Sequence, residues 1–455
     1  MHAQRQPSSA SPAPVHPVAN SQSAPAAPCL AIDGGPGLAP TPRQFLIATA
    51  GTAGDMHPFL ALGMALQRRG HTVLFLGSAV HEAMVVSVGL AFSPLGTVAA
   101  YEAVANDPRL WNPRTSFSVF WRGLSLHRLG DELMALPATL PITLLVHPLL
   151  LPAAALARAR RPGVRVVAAW LAPANLRSCC DPMMVGPLRI PRWLPLRFRR
   201  GLWRHIDRRF IDPVALPGLN PARVALGLPP LARFWPHLQE VPDLSITLFP
   251  AWFAATLPDW PQPLHGGVFP LFEPQVDATL CPELVDFLAA GAAPIVFTLG
   301  TGHRHAARFL ALAVQVAQQL GRRAILLTAN RSQAPATLPA TVLCLTYVPL
   351  RQLLPRVAAL VHHGGIGTTA EALRAGVPQL VLPSAFDQFD NAQRVEALGV
   401  GRAGSAHRLR AGAMRRALRA LLGSPDVAKA CTRVAALLAG DADVGALCPV
   451  VEALD

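Results

Sequence analysis

Short, uninterrupted apolar runs separated by stretches of helical length restrict this chain to a narrow set of folds. Runs at residues 45–50, 71–76, 142–146, 164–169 and 245–249 are followed, after a proline-rich interval, by runs at 295–299, 324–328, 342–345, 360–362 and 379–383. Each has the length of a strand rather than of a buried helix, and none alternates apolar with polar residues, so each is expected to be covered on both faces. Such strands pair in parallel, and a parallel pair needs a crossover, which the helical patterns at 59–69, 149–158, 308–320 and 368–375 supply. The expectation is an α/β protein built from two doubly wound halves. At 455 residues the chain is long enough for each half to bury its own core.

Composition sets the boundaries. Residues 1–42 are rich in Pro, Ala and Ser and lack periodicity, which reads as a disordered extension. They contain no continuous apolar core of secretory-signal type, so export is not expected. Residues 43–257 read as the first domain and 258–293 as a linker, opening on a stretch, 258–274, that holds five prolines. Residues 294–455 read as the second domain, with a last helix placed to pack back on the first. The segment 133–157 carries no formal charge and is long enough to cross a bilayer. Pro137, Pro141, Pro148 and Pro152 divide it instead into a loop, a strand at 142–146 and a helix.

The stretch His362-His363-Gly364-Gly365-Ile366-Gly367-Thr368-Thr369-Ala370-Glu371 lies where a strand becomes a helix. The first N–H groups of a helix have no partner inside it and carry about half a positive charge, and glycines let a diphosphate approach the main chain. No G-x-G-x-x-G pattern and no P-loop lysine is present, which removes the usual dinucleotide and ATPase readings. His363 is placed to donate a hydrogen bond to a diphosphate oxygen. His362, on the opposite side of an extended strand, reads as structural. Glu371, about two helical turns along, suits a ribose, or is an ordinary charge favoured near a helix start. Asp387 and Gln388, at the mouth of the next strand, suit sugar hydroxyls. Asp387 with Asp390 has the look of a metal-binding pair, but the helix start and His363 already offer positive charge, so neither a divalent cation nor a cofactor is expected.

Tyr347-Val348-Pro349-Leu350, then the glycine-rich stretch, then Gly376-Val377-Pro378-Gln379 and Asp387-Gln388 with Asn391, resemble the donor-binding signature of the nucleotide-sugar glycosyltransferase superfamily. Two further segments, Asn106-Asp107-Pro108-Arg109-Leu110-Trp111-Asn112-Pro113-Arg114-Thr115-Ser116-Phe117 and Leu248-Phe249-Pro250-Ala251-Trp252-Phe253 with Asp259-Trp260-Pro261-Gln262-Pro263-Leu264-His265, resemble the narrower group of rhamnosyltransferase 1 enzymes of bacterial rhamnolipid synthesis. The resemblance runs from about Gln44 to the C-terminus. It implies the B-type glycosyltransferase fold, two Rossmann-like domains facing each other across a cleft. It also implies inverting transfer of L-rhamnose from dTDP-L-rhamnose to a hydroxyl of a 3-(3-hydroxyalkanoyloxy)alkanoic acid, a hydroxyalkanoyl-hydroxyalkanoate lipid acceptor. The donor-binding residues it implies are Thr52, Tyr347, Val348, His363, Gly365, Gly367, Thr368, Thr369, Glu371, Asp387 and Gln388, with Tyr347 standing where plant members place a tryptophan against the base.

Attack by an alcohol on an anomeric carbon requires a base. The turn Gly51-Thr52-Ala53-Gly54-Asp55-Met56-His57-Pro58 offers Asp55, and the resemblance implies that this turn faces the cleft with its aspartate as base. The plainer reading is that Asp55 caps a helix opening at Pro58. His57 is a second candidate base, and Thr52 either touches the donor phosphate or stabilises the turn. A related transferase with another sugar and a sterol, macrolide or peptide acceptor is the nearest rival. A non-catalytic nucleotide-sugar-binding partner is a rival of another class, and Asp55 separates it from an enzyme.

The acceptor residues are not identified by sequence. All eight tryptophans lie between Trp111 and Trp260, and large rings suit either an alkyl groove or a core. Residues 189–204 interleave arginines with apolar and aromatic side chains. Two functional readings suit them, holding an anionic lipid or resting on the inner-membrane face, beside the plain one of a solvated basic surface. The net charge of +14 is nearly all arginine, with Lys429 the lone lysine, and reads as coding bias; no recognition fold accompanies it, so nucleic acid is not an expected partner. Seven cysteines without paired spacing read as a reduced, cytoplasmic chain.

Overall fold

A computed structural model describes residues 41–454 apart from 138, 181, 274–278, 301–305 and 407–408. All but the last two residues of the extension at 1–42 therefore lie outside the described residues. In chain order the strands are β1 (Gln44–Ala48), β2 (Thr72–Gly77), β3 (Ala91–Pro94), β4 (Ile142–Val146), β5 (Arg165–Trp170), β6 (Met183–Val185), β7 (Leu188–Ile190), β8 (Leu244–Thr247) and β9 (Leu264–His265). The second half adds β10 (Ile295–Thr298), β11 (Ala324–Leu327), β12 (Val342–Leu345), β13 (Ala359–His362), β14 (Gln379–Val381) and β15 (Gly401–Ala403).

Two parallel sheets result, ordered β3-β2-β1-β4-β5-β8-β9 and β12-β11-β10-β13-β14-β15, with β6 and β7 forming a separate antiparallel hairpin. Every residue of β1 and β4 is buried, as continuous apolar strands in the middle of a two-sided sheet must be. The fold is thus the expected α/β arrangement of two Rossmann-like halves. The uncharged segment around β4 is the centre of a sheet, paired with β1 and β5. Among the described residues no single helix is long and apolar enough to cross a membrane.

Three sequence expectations are corrected. The first helix spans Ala53–Arg68 and does not open at Pro58, because Thr52 and Asp55 cap it upstream and leave the proline inside. The helix expected at 149–158 spans Leu151–Arg160, after a short 3-10 turn at Pro148–Leu150. The first sheet does not end at residue 257, since β9 pairs with β8 and draws the start of the proline-rich stretch into that half.

The chain finally returns to its beginning. Val444, Leu447, Cys448 and Val451 are buried in one cluster with Phe59, Leu62 and Phe75 of the first half. Glu452 receives hydrogen bonds from Arg69 at 2.5 and 2.7 Å and lies 2.8 Å from His71. The halves also touch beneath the cleft, where Arg394, held by Asp390 at 2.7 Å, donates to the Phe253 carbonyl at 3.2 Å. Truncating Leu447 to alanine is expected to cost about 2–5 kcal/mol of stability through the cavity it leaves. Chemical denaturation should read this as an earlier unfolding of the first half, although the change lies near the C-terminus.

Candidate active site

In each sheet the chain winds outward on one side of a central strand and then returns on the other. The reversal lies between β1 and β4 in the first sheet and between β10 and β13 in the second. Crossovers diverge there and leave a crevice beyond the carboxyl ends of the strands. Residues 50–55 after β1, His147 after β4, Leu299 and Gly300 after β10, and His363 with Gly365 and Gly367 after β13 all line one cavity of about 430 Å³.

At its second-half wall β13 ends in two histidines with opposite roles. His362 is fully buried, its Nε2 2.9 Å from Gln379 Oε1 while Nδ1 accepts from the Gly364 amide at 3.2 Å. Burial lowers its pKa to about 4, so it is a neutral structural ring. His363 turns into the cavity between two glycines: a Cβ on Gly300 would lie 2.6 Å from its Cε1, and one on Gly365 2.5 Å from its Nε2. Gly364 has φ of 95°, and a Cβ there would meet Val381 at 2.6 Å, so only glycine makes this turn. The helix Ile366–Arg374 that follows has Gly365 as its N-cap and no side-chain cap, leaving its first amides for a ligand. Space beside Gly367 is open.

Thr368 and Glu371 line the cavity, and Arg374 holds the Glu371 carboxylate at 2.8 Å. Thr369 does not line it: the side chain is fully buried and its hydroxyl donates to the Gly365 carbonyl at 3.0 Å, because its place in the first turn points it inward. Val348 is buried at the cavity wall, and Tyr347 is half exposed there with its hydroxyl donating to Glu273. Burial first, then that bond, keeps the phenol protonated. Glu273, itself pushed up mainly by burial, carries no sequence signal, since it lies in the linker without motif or periodicity.

Asp387 and Gln388 both line the cavity. The Gln388 oxygen accepts from Ser384 N, Ser384 Oγ and Ala385 N at 2.9–3.1 Å, so it shapes the turn and leaves the amide nitrogen for a ligand. Asp387 accepts from Asn391 at 2.7 Å, and its pKa rises to about 7, through burial and then through the charge of Asp55. That influence sets the two carboxylates against each other across the cleft. Asp390 is turned away, buried in its ion pair with Arg394.

Asp55 Oδ2 accepts from the Thr52 amide at 2.7 Å and the Thr52 hydroxyl at 3.1 Å, so it caps the helix and lines the cavity at once. The Thr52 hydroxyl is thus engaged within the turn. Burial raises the Asp55 pKa to about 6 in spite of those bonds. Burial, and then His81, lower the His57 pKa to about 4, and burial does the same for His147. Both rings line the cavity as neutral groups near pH 7, and Asp55 is the stronger base.

Two family models match the chain. Residues 45–125 match the glycosyltransferase family 28 N-terminal domain, and residues 307–443 match the erythromycin biosynthesis protein CIII-like C-terminal domain. The chain is 30% identical over 373 residues to the vancomycin aglycone glucosyltransferase of Amycolatopsis orientalis, covering 79% of this chain and 85% of that one. It is 29% identical over 438 residues to the O-mycaminosyltylonolide 6-deoxyallosyltransferase of Streptomyces fradiae, covering 90% and 97%. The chain belongs to the family 28 and EryCIII-like glycosyltransferases. In fold it is similar to the solved kitacinnamycin glycosyltransferase, with a TM-score of 0.67 over 91% of this chain and 99% of that one at 21% identity. It is similar also to a spinosyn rhamnosyltransferase solved with thymidine diphosphate, with a TM-score of 0.62 over 90% and 100% at 22% identity.

The remaining part of the cavity, on the side of the first half, is apolar. Leu95, Val104, Leu110, Trp111, Phe120 and Leu124 line it. Trp111 meets Phe386 of the second half edge to face at 6.1 Å. Among the described residues Trp111 is the only tryptophan in the lining, so of the two readings left open for the rings, groove or core, it alone takes the groove. Trp121, Trp170 and Trp260 are core, Trp203 and Trp235 flank the Arg177 guanidinium at 3.7 and 4.4 Å, and Trp252 donates to Asp441 at 2.9 Å.

A carboxylate base must be ionised, so with a pKa near 6 the kcat/KM of this glycosyltransferase is expected to fall about tenfold per unit below pH 6. In Asp387→Asn that acid limb should persist, since Asp55 is raised by its own burial; loss of the limb would assign the titration to Asp387. Gly300→Ala should push the His363 ring aside and raise the donor KM by up to about a hundredfold, measured by initial rates.

Proposed function

We propose that the protein transfers L-rhamnose from dTDP-L-rhamnose to the hydroxyl of a 3-(3-hydroxyalkanoyloxy)alkanoic acid, forming a mono-rhamnolipid. The observation that carries the reading is the make-up of the cavity: a raised carboxylate, Asp55, where an apolar lobe from Leu95 to Leu124 meets the amide-rich start of the helix after β13. A flexible acyl chain fills such a lobe while its hydroxyl sits at the polar end. The thymidine diphosphate held by the spinosyn rhamnosyltransferase, and the segments around Asn106 and Leu248, support the donor and the acceptor respectively.

In this mechanism Asp55 takes the proton of the acceptor hydroxyl as its oxygen attacks the anomeric carbon from the face opposite the nucleotide. The bond from that carbon to the β-phosphate oxygen breaks, and dTDP leaves with the electron pair. His363 and the amides of Ile366, Gly367 and Thr368 meet the charge that develops on the diphosphate. Asp387 and the Gln388 amide hold sugar hydroxyls, Glu371 the ribose, and Tyr347 and Val348 the base. No step requires a metal.

Purified protein with dTDP-L-rhamnose and a hydroxyalkanoyl-hydroxyalkanoate is expected to give a product heavier by one deoxyhexosyl group, read by mass, while UDP-glucose gives none. Asp55→Asn should lower kcat by about 10²–10⁴-fold and leave donor binding in place. Turnover with UDP-glucose and a polycyclic acceptor instead would sink the substrate assignment but keep the site.

A further inference from the structure

One strongly featured surface lies outside the cavity lining. The hairpin of β6 and β7 leads through residues 191–195 into the helix Leu196–Ile206, which continues through Asp207–Ile211. That first helix has no buried residue. Trp193 is 79% exposed, Leu188 63%, Phe198 54% and Phe210 48%. Water is a poor environment for four large apolar side chains on one short segment, and such a patch marks an interaction site.

Charge selects the partner. Arg197, Arg200, Arg204 and Arg208 follow at three- and four-residue spacing, are exposed, and have no ion pair among the described residues. Helix Leu196–Ile206 contains no acid. Asp207, just beyond, is buried and taken by Arg177 and Arg233 at 2.5 Å each, so it does not offset the stripe. The core of a protein interface is depleted of charge, whereas the headgroup layer of a bilayer accepts apolar rings and cationic tips side by side.

We propose that the face formed by residues 188–210 docks on an anionic lipid bilayer, with the helix in the plane of the surface, Trp193 and Phe198 in the headgroup layer, and the arginines on lipid phosphates. The hairpin turn meets the segment that carries Trp111 into the cavity lining: a Cβ on Gly186 would be 3.6 Å from Pro113. Docking there brings the acceptor lobe to the source of an acyl substrate. That purpose rests on the lipid acceptor proposed above; the docking itself does not.

The test is flotation of the full chain with vesicles of phosphatidylcholine alone or with one quarter phosphatidylglycerol, with neither sugar nucleotide nor acceptor present, so that failure of the transfer assay leaves it unaffected. The protein is expected to float with the anionic vesicles at low salt, and to be released at high salt. Trp193→Ser with Phe198→Ser, and separately Arg197→Gln with Arg200→Gln and Arg204→Gln, should each lower the bound fraction at least about tenfold. Circular dichroism, melting temperature and turnover of a short soluble acceptor should not change. The proposal fails if the wild type ignores anionic vesicles at low salt, if both variants bind as the wild type does, or if light scattering shows that the face instead pairs two copies of the chain.

Discussion

Parallel strands all leave their sheet by the same edge, and that constraint organises everything else in this molecule. Where the strand order reverses, neighbouring crossovers must part, and the sheet cannot close its own edge. The first half uses that gap for the turn after β1 and the second for the turn after β13. Because both gaps open into one cavity, a carboxylate held by the first and a helix start held by the second act on the same small volume. Neither half lines the cavity on its own.

Desolvation ties the electrostatics of the two walls together. Removing water raises the Asp55 pKa to about 6 and that of Asp387 to about 7, which makes Asp55 a better proton acceptor than an exposed aspartate. The same loss of water strengthens the pull of unpaired amides on a diphosphate. The histidines respond the other way, and His57 and His147 stay neutral. Cap and base are not alternatives for Asp55: the hydrogen bonds from Thr52 that start the helix also fix the carboxylate in the cavity.

The two sheets were legible because fully buried strands are compositionally plain; the run at 142–146 coincides with β4 residue for residue. The glycine-rich turn was legible because its chemistry is local: His362, His363 and Gly364 are adjacent, and the strand period alone separates the two rings. Local patterns failed where a tertiary contact or competing chemistry decides. Thr369 belongs to the motif, but helix geometry turns it inward; Pro58 looks like a helix start, but a capping pair lies upstream. Glu273 meets Tyr347 across 74 residues. Gly300 carried a fainter signal, since it closes the central strand of the second sheet, and the reversal beside that strand depends on a topology that sequence only implies. The tryptophans could not be sorted at all, because a ring in a core and a ring in a groove have the same composition.

The return of the chain at Val444, Leu447, Cys448 and Val451 has a consequence for recombination. These side chains complete the core beneath Phe59 and Phe75, so the first half is discontinuous in sequence although it is continuous in space. A chimaera joined only near the proline-rich stretch would give each parent's core the wrong closing segment. Exchange of first halves between relatives should therefore take the terminal fifteen or so residues from the same parent as the first half. The natural cut is made at two places, and the module that moves is a loop of chain rather than a length of it.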